Sequence, residues 1–222
     1  MKPTARPNTE DILTREIIKS YGLDHKVFND SVMEAKKLQI VKAAVRLFIK
    51  NGYLKTTTRQ ICEEVGLSKG GIYQHIHSKG EILILFQQLV NVLRSEFVKS
   101  VDLKLDSMSA LEALCFAIKE YIFFVDRVKD IILFWTREEL NLEPETLRRI
   151  VQDDQAFVET ISHIVQKGCE SGEFQTNDPT IIANNVVIIG DQWALRRWFL
   201  QRRYSIEEYV QKQTEFVIRS LK

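Results

Sequence analysis

The stretch from Thr57 to Lys79 constrains this chain more than any other. Thr57 with Gln60 makes a capping box that opens a short helix through Val65, and Gly66 stops it. Ser68 caps a second short helix that runs to about His75. Only Gly66-Leu67 separates the two, a turn too tight for anything but a helix-turn-helix. Ile61, Val65, Leu67, Ile72 and Ile76 are spaced to bury, which leaves Arg59, Lys69, Tyr73, Gln74 and His75 facing outward. Gly70-Gly71 at the leading edge of the second helix lets the backbone approach a duplex closely. The two glycines cost about 1 kcal/mol each against alanine, so so short a helix must be held by its neighbours.

The rest of the chain follows the same helical grammar. Ile40, Ala44, Leu47 and Phe48 repeat at helical spacing, with a Ser31–Glu34 capping box before them and Gly52 as the stop. Ser78 with Glu81 opens a long helix carrying Ile82, Leu85, Phe86, Leu89, Leu93 and Phe97 on its apolar side. Ser109 with Glu112 starts a helix to about Val128, and Ile131, Leu133, Phe134 and Trp135 lie on the next. Pro144 precedes a helix from about Glu145 to Ser171, closed by Gly172. Asp178-Pro179 is an N-cap and first-turn proline for a helix to about Leu200, and Ser205 with Glu208 caps the last. No alternating strand pattern, repeat or low-complexity tract interrupts this. The expected fold is all-α, about nine helices after an N-terminal extension: residues 1–30 as the extension, 31–80 as a three-helix helix-turn-helix domain, 81–222 as a larger helical domain. The extension has its own helical stretch, Glu10 to Tyr21. Its first residues, with Lys2, Pro3, Arg6 and Pro7, read as a disordered terminus or, alternatively, a basic arm for a minor groove.

Charge is distributed unevenly. Residues 31–80 hold nine Lys/Arg against three Glu, a net of +6, while residues 81–222 hold seventeen basic and twenty-two acidic residues, a net of −5. A basic head on an acidic body suits a polyanion partner for the head alone. The first thirty residues lack a secretory apolar run of about 7–15 residues, and no window reaches the roughly 18 apolar residues of a membrane span. Cys62, Cys115 and Cys169 are far apart and in no metal-type spacing, so they read as reduced thiols of a cytoplasmic protein. Catalysis is poorly served. Glu159 and His163 stand four apart without a second such pair, and there is no Ser/His/Asp grouping or glycine-rich phosphate loop. No catalytic residue, metal site or cofactor is expected.

The chain resembles the TetR family of bacterial regulators. The resemblance rests on Ile40-x-x-Ala43-Ala44-x-x-Leu47-Phe48-x-x-x-Gly52-Tyr53, on Thr57-Thr58-Arg59-x-Ile61, and on Gly66-Leu67-Ser68-Lys69-Gly70-Gly71-Ile72-Tyr73-x-His75-Ile76-x-Ser78-Lys79. It departs at Ile76, where phenylalanine is commoner, and at Gly71, where threonine, serine or alanine is. The resemblance implies DNA binding by Thr58, Arg59, Lys69, Gly70, Gly71, Tyr73, Gln74, His75 and Lys79. Thr58, Arg59 and Lys79 would hold phosphates; Lys69 would reach guanine or phosphate; Tyr73 would meet the backbone, or else brace the helix pair.

It also implies that the larger domain binds an effector and dimerises through its last two helices, Asp178–Leu200 and Ser205–Leu221. Gly190 would allow close helix approach there, as it would in a plain core helix. The segment Asp191 to Trp198 is similar to the corresponding helix end in TetR-type regulators associated with acyl-CoA metabolism, where Arg196 or Arg197 would meet an anion and Trp193 or Trp198 would stack or line an acyl pocket. Phe123, Phe124, Trp135 and Phe157 are candidate pocket walls. The expected partners are a double-stranded DNA operator, a second copy of the chain and a small-molecule effector, a CoA thioester, with no membrane. The expected function is a ligand-responsive repressor; the alternatives are an activator of the same fold and a helical ligand-binding bundle with an inert helix-turn-helix.

Overall fold

The computed structural model describes residues 35–88, 90, 98–99, 107–138, 141 and 144–222. Nine helices and no strand are found among these residues, an all-α fold as the periodicity predicts. The expected N-terminal extension, the Ser31–Glu34 capping box and Leu89, Leu93 and Phe97 lie outside the described residues. The chain divides into two compact units: one runs to Val90 and also takes in Glu138–Asn141, and the other comprises Asn91–Arg137 and Leu142–Lys222.

The first unit contains α1 (Ala35–Asn51), α2 (Thr58–Val65), α3 (Lys69–Tyr73) and α4 (residues 79–88). Their apolar faces converge on one core. Ile40, Ala44, Phe48, Ile61, Ile72, Ile76, Ile82 and Phe86 are all buried, as is Cys62. Both expected caps form: Thr57 and Gln60 close a reciprocal capping box, and the Ser68 hydroxyl accepts from the Gly71 N–H. Between them Gly66 takes φ 70°, a left-handed conformation that costs other residues about 1–2 kcal/mol. The turn therefore needs this glycine. Helix α3 ends at Tyr73, two residues short of the expected end, and Gln74 caps it.

Helix α5 is a single helix, Ala110–Glu138, which belongs to the second unit as far as Arg137. The expected break after Val128 is absent. No glycine or proline falls there, and Val125, Val128, Ile131 and Phe134 remain on one buried side at helical spacing. Helix α6 (Pro144–Glu170) packs along α7 (Pro179–Leu195), which Asp178 caps through the Ile181 N–H. The helix expected to reach Leu200 instead stops at Leu195. Arg196 leaves helical geometry (φ −110°, ψ 24°), and a short α8 (Arg197–Leu200) follows. Helix α9 (Ile206–Arg219) starts on the Ser205–Glu208 capping box. Gly190 does allow a close approach, but the group that comes close is the Tyr121 ring from α5, lying where a Cβ would stand.

Candidate DNA interface and effector site

The first unit presents its expected polar set on one short motif. Ser68 places Lys69 at the first position of α3, where its side chain is exposed, followed by exposed Gly70. A Cβ on Gly70 would meet nothing closer than the Ser68 hydroxyl at 4.0 Å, so this surface is open to a large ligand. Gly71 has a more local reason: its Cβ would stand 3.3 Å from the capping Ser68 hydroxyl. Tyr73 and Gln74 are exposed, His75 is half-buried, and Thr58 is half-buried at the start of α2. Arg59 projects into solvent with 88% of its side chain exposed, in an ion pair with Glu63 at 2.9 Å. Such a pair contributes little and yields readily to a stronger anion. Arg46 ties α1 to α2 through Glu64 at 3.2 Å.

Lys79 is placed differently from the solvent-facing residues. Its ammonium donates to the carbonyls of Tyr53 (2.8 Å) and Thr56 (3.0 Å) and lies 4.2 Å from the centroid of the Tyr53 ring. Burial pushes it below the ordinary lysine range, while the Glu138 carboxylate works in the opposite direction. Two of its three N–H donors are thus committed to the loop before α2.

The second unit gathers the candidate effector residues only in part. Phe124 and Phe157 are buried and converge on Tyr121, whose ring stacks on Phe157 at 4.4 Å and on Phe124 at 6.4 Å between centroids. Phe123 and Trp135 are half-buried. Trp193 is buried; its ring lies 5.0 Å from that of Tyr209, and its indole N–H donates to Asp126 at 2.8 Å. Arg197 pairs with Asp130 at 3.0 Å. Arg196 is exposed and lies over Trp198 and Phe199, and Trp198 itself is 64% exposed. Trp193 and Arg197 thus meet α5 one turn apart, at Asp126 and Asp130. A cavity of about 300 Å³ opens among Ser109, Ala113, Ile164, Lys167, Ser171 and Glu173, and no candidate effector residue lines it.

Three ties between α5 and the α7–α8 segment were not anticipated by residue type: Tyr121 to Asp191 (2.8 Å), Trp193 to Asp126, and Arg197 to Asp130. Their one sequence signal is Asp126 and Asp130, four apart and so on one face of a helix. Tyr209, donating to the Ile189 carbonyl at 2.7 Å, has its phenol pushed up to about 12 by burial. Glu159 and His163 are both exposed, and no group of three metal-ligating side chains occurs among the described residues. None of the described helices is long and apolar enough to cross a membrane.

Residues 40–85 match the family model of bacterial regulatory proteins, tetR family, and residues 107–221 match the tetracyclin repressor-like C-terminal domain. The chain is 28% identical over 204 residues to the HTH-type transcriptional regulator HbdR of Aromatoleum sp. (strain CIB), covering 91% of this chain and 85% of that one. Among solved structures, AibR in complex with isovaleryl coenzyme A and operator DNA matches with a TM-score of 0.68 at 21% identity, over 82% of this chain and 97% of AibR. The transcriptional regulator FadR from Bacillus subtilis, in complex with stearoyl-CoA, matches with a TM-score of 0.66 at 19% identity, over 83% and 99%. At these identities the two structures establish a common fold.

Proposed function

This chain belongs to the tetR family of bacterial regulatory proteins, and from that premise we propose that it is a ligand-responsive repressor, held on a palindromic operator as a homodimer and released by an acyl-CoA or related CoA thioester. The family is one of transcriptional regulators, not enzymes. In this reading residues 31–80 are the DNA-binding head, 81–222 the effector-binding and dimerising body, and the protein works in the cytoplasm.

The observation that carries the reading is the exposed rim of the helix-turn-helix. Lys69, Gly70, Tyr73 and Gln74 are open on a helix whose other side is pinned by buried Ile72. A recognition helix in a major groove presents its N-terminal residues to base edges. Lys69 reads guanine or phosphate there; Thr58 and Arg59 hold phosphates from α2, and His75 meets the backbone or a base. Lys79 has one remaining N–H for a phosphate beyond those that hold the Tyr53 and Thr56 carbonyls.

A head this small makes few base contacts, and twofold symmetry doubles them. Ile181, Ile188 and Leu195 recur every seven residues along α7 and stay 50%, 48% and 36% exposed, and Phe216 on α9 is 63% exposed. A seven-residue apolar stripe returns to one face of a helix, and it supports pairing with a second copy through the last helices.

The CoA thioester reading draws its support from the complexes of AibR and FadR, carried to this chain as a proposal. In this reading Phe123, Phe124, Trp135, Phe157 and Trp193 serve the acyl chain, and Arg196 or Arg197 meets an anionic group of the CoA. A ligand releases DNA only by binding one state of the protein more tightly than the other. Duplexes enriched by the protein from a random library test the reading. They should carry an inverted repeat, bind a dimer by sedimentation, and be released by a CoA thioester but not by free CoA or the fatty acid. Enrichment of no duplex would remove the repressor reading; release by an unrelated compound alone would remove the thioester.

A further inference from the structure

Lys79 and Glu138 both reach one loop of the first unit. The Lys79 ammonium holds the carbonyls of Tyr53 and Thr56, and Thr56 is itself buried, its hydroxyl donating to the Gly52 and Leu47 carbonyls. Glu138 reaches the same loop. Its Oε1 lies 3.5 Å from where a Cβ on Gly52 would stand, and its Oε2 accepts from Asn141 at 3.2 Å. At 5% exposure it is buried. A carboxylate withdrawn from water needs a cation or several donors nearby. Lys79 is a cation whose ionisation responds to it.

Placement gives this arrangement its consequence. Thr56 immediately precedes Thr57, the N-cap of α2, so whatever fixes Thr56 fixes the entry to the helix-turn-helix. Glu138 is the last residue of α5, a 29-residue helix whose preceding residues belong to the second unit. We propose that Glu138 is a positioning residue for DNA recognition: its charge keeps Lys79 on the loop before α2, so that the entry to the helix-turn-helix is held by the end of a helix that begins in the other unit. The proposal rests on the DNA-binding reading above. It adds that the carboxylate touches no DNA and acts through Lys79.

The test uses the full-length protein with Glu138→Gln, Lys79→Met and the double variant, plus Glu138→Asp as the charge-keeping control. Protein labelled with ¹³Cε,¹⁵Nζ-lysine reports the titration of Lys79 directly, the resonance being assigned by its loss in Lys79→Met. In Glu138→Gln the Lys79 titration should move to lower pH, and in Glu138→Asp it should return towards the wild type. This arm needs no DNA, so its outcome is separable from failure of the DNA-binding reading. On a duplex enriched by the wild-type protein, each neutral single variant should lose about tenfold in affinity, with the double no weaker than about twice either single, as for groups acting as one unit. Should Glu138→Gln not fold by circular dichroism, Glu138→Met supplies a neutral side chain suited to a buried site. An unmoved Lys79 titration, or losses that multiply in the double variant, would overturn the proposal.

Discussion

The two units hold their helices by different means. In the first, α2 has eight residues and α3 has five, far below the roughly 12–15 at which an isolated helix is even marginal. Each end is therefore fixed locally, by Thr57 with Gln60, by Gly66 and by Ser68, and the helices are pinned by Ile61, Ile72 and Ile76. In the second, α5 has 29 residues and α6 has 27. These helices propagate without help, and their placement comes from groups remote in sequence: Tyr121 in the space beside Gly190, Trp193 on Asp126, Arg197 on Asp130. Short elements are specified by their neighbours in sequence, and long ones by their neighbours in space.

The sharpest way to break that contrast is at Tyr121. Tyr121→Ala empties the space beside Gly190 and unstacks Phe157, and should cost about 3–5 kcal/mol in chemical denaturation. Tyr121→Phe, which loses only the bond to Asp191, should cost about 1 kcal/mol. Equal losses would mean that the hydroxyl, rather than the ring, locates α5 against α7. A smaller effect tests the local side. Gly66→Ala puts a Cβ on a left-handed residue with nothing within 4 Å to crowd it, so its cost, about 1–2 kcal/mol, should come from backbone conformation alone. A variant as stable as the wild type in urea would show that the turn does not depend on this conformation.

Arg59→Ala should leave thermal stability nearly unchanged, because its pair with Glu63 is exposed. If Arg59 holds a phosphate, the log–log salt dependence of DNA binding should become shallower by about 0.9 for specific and random duplexes alike. An unaltered slope would take Arg59 off the DNA. The smallest effect is expected at Glu173. Its exposed carboxylate accepts from the N–H groups of Leu111 (3.0 Å) and Ala110 (3.2 Å) and from the Ser171 hydroxyl. The Leu111 N–H is the first cause holding its pKa below the ordinary carboxylate range. A lowered folded-state pKa means that the unfolded chain takes up the proton first. The contribution is therefore complete above the ordinary carboxylate pKa and is lost as pH falls through the lowered one. Melting temperatures of wild type and Glu173→Gln should differ slightly at neutral pH and converge in acid; a gap that persists in acid would assign the effect to something other than the charge.

This contrast also explains what the sequence made legible. A capping residue and the N–H it receives stand three apart, so Thr57–Gln60, Ser109–Glu112 and Ser205–Glu208 are readable without a fold, and each forms. The continuity of α5 was not readable in the same way. Arg127, Lys129 and Asp130 resemble a boundary, but Val128 and Ile131 continue the buried side between and beyond them. The break at Arg196 carries no glycine or proline. In the head, exposure of Arg59, Lys69, Tyr73 and Gln74 follows from helical periodicity. The tie of Lys79 to carbonyls 26 and 23 residues away does not, because its residue type fits a phosphate equally well.

Glu173 has a mechanical consequence beyond its charge. Helices α5 and α6 are joined at one end by the five residues 139–143, and at the other end Glu173, just past the end of α6, clasps the first two N–H groups of α5. The start of α5 is thus latched to the residues that follow α6. Helices packed against each other commonly switch state by ratcheting one turn, about 5.4 Å, along their axes. A piston stroke of that length would break the clasp at Glu173. Tilting or rolling of α5 about this clasp leaves it intact, so the clasp opposes sliding along the helix axis more than a change of angle.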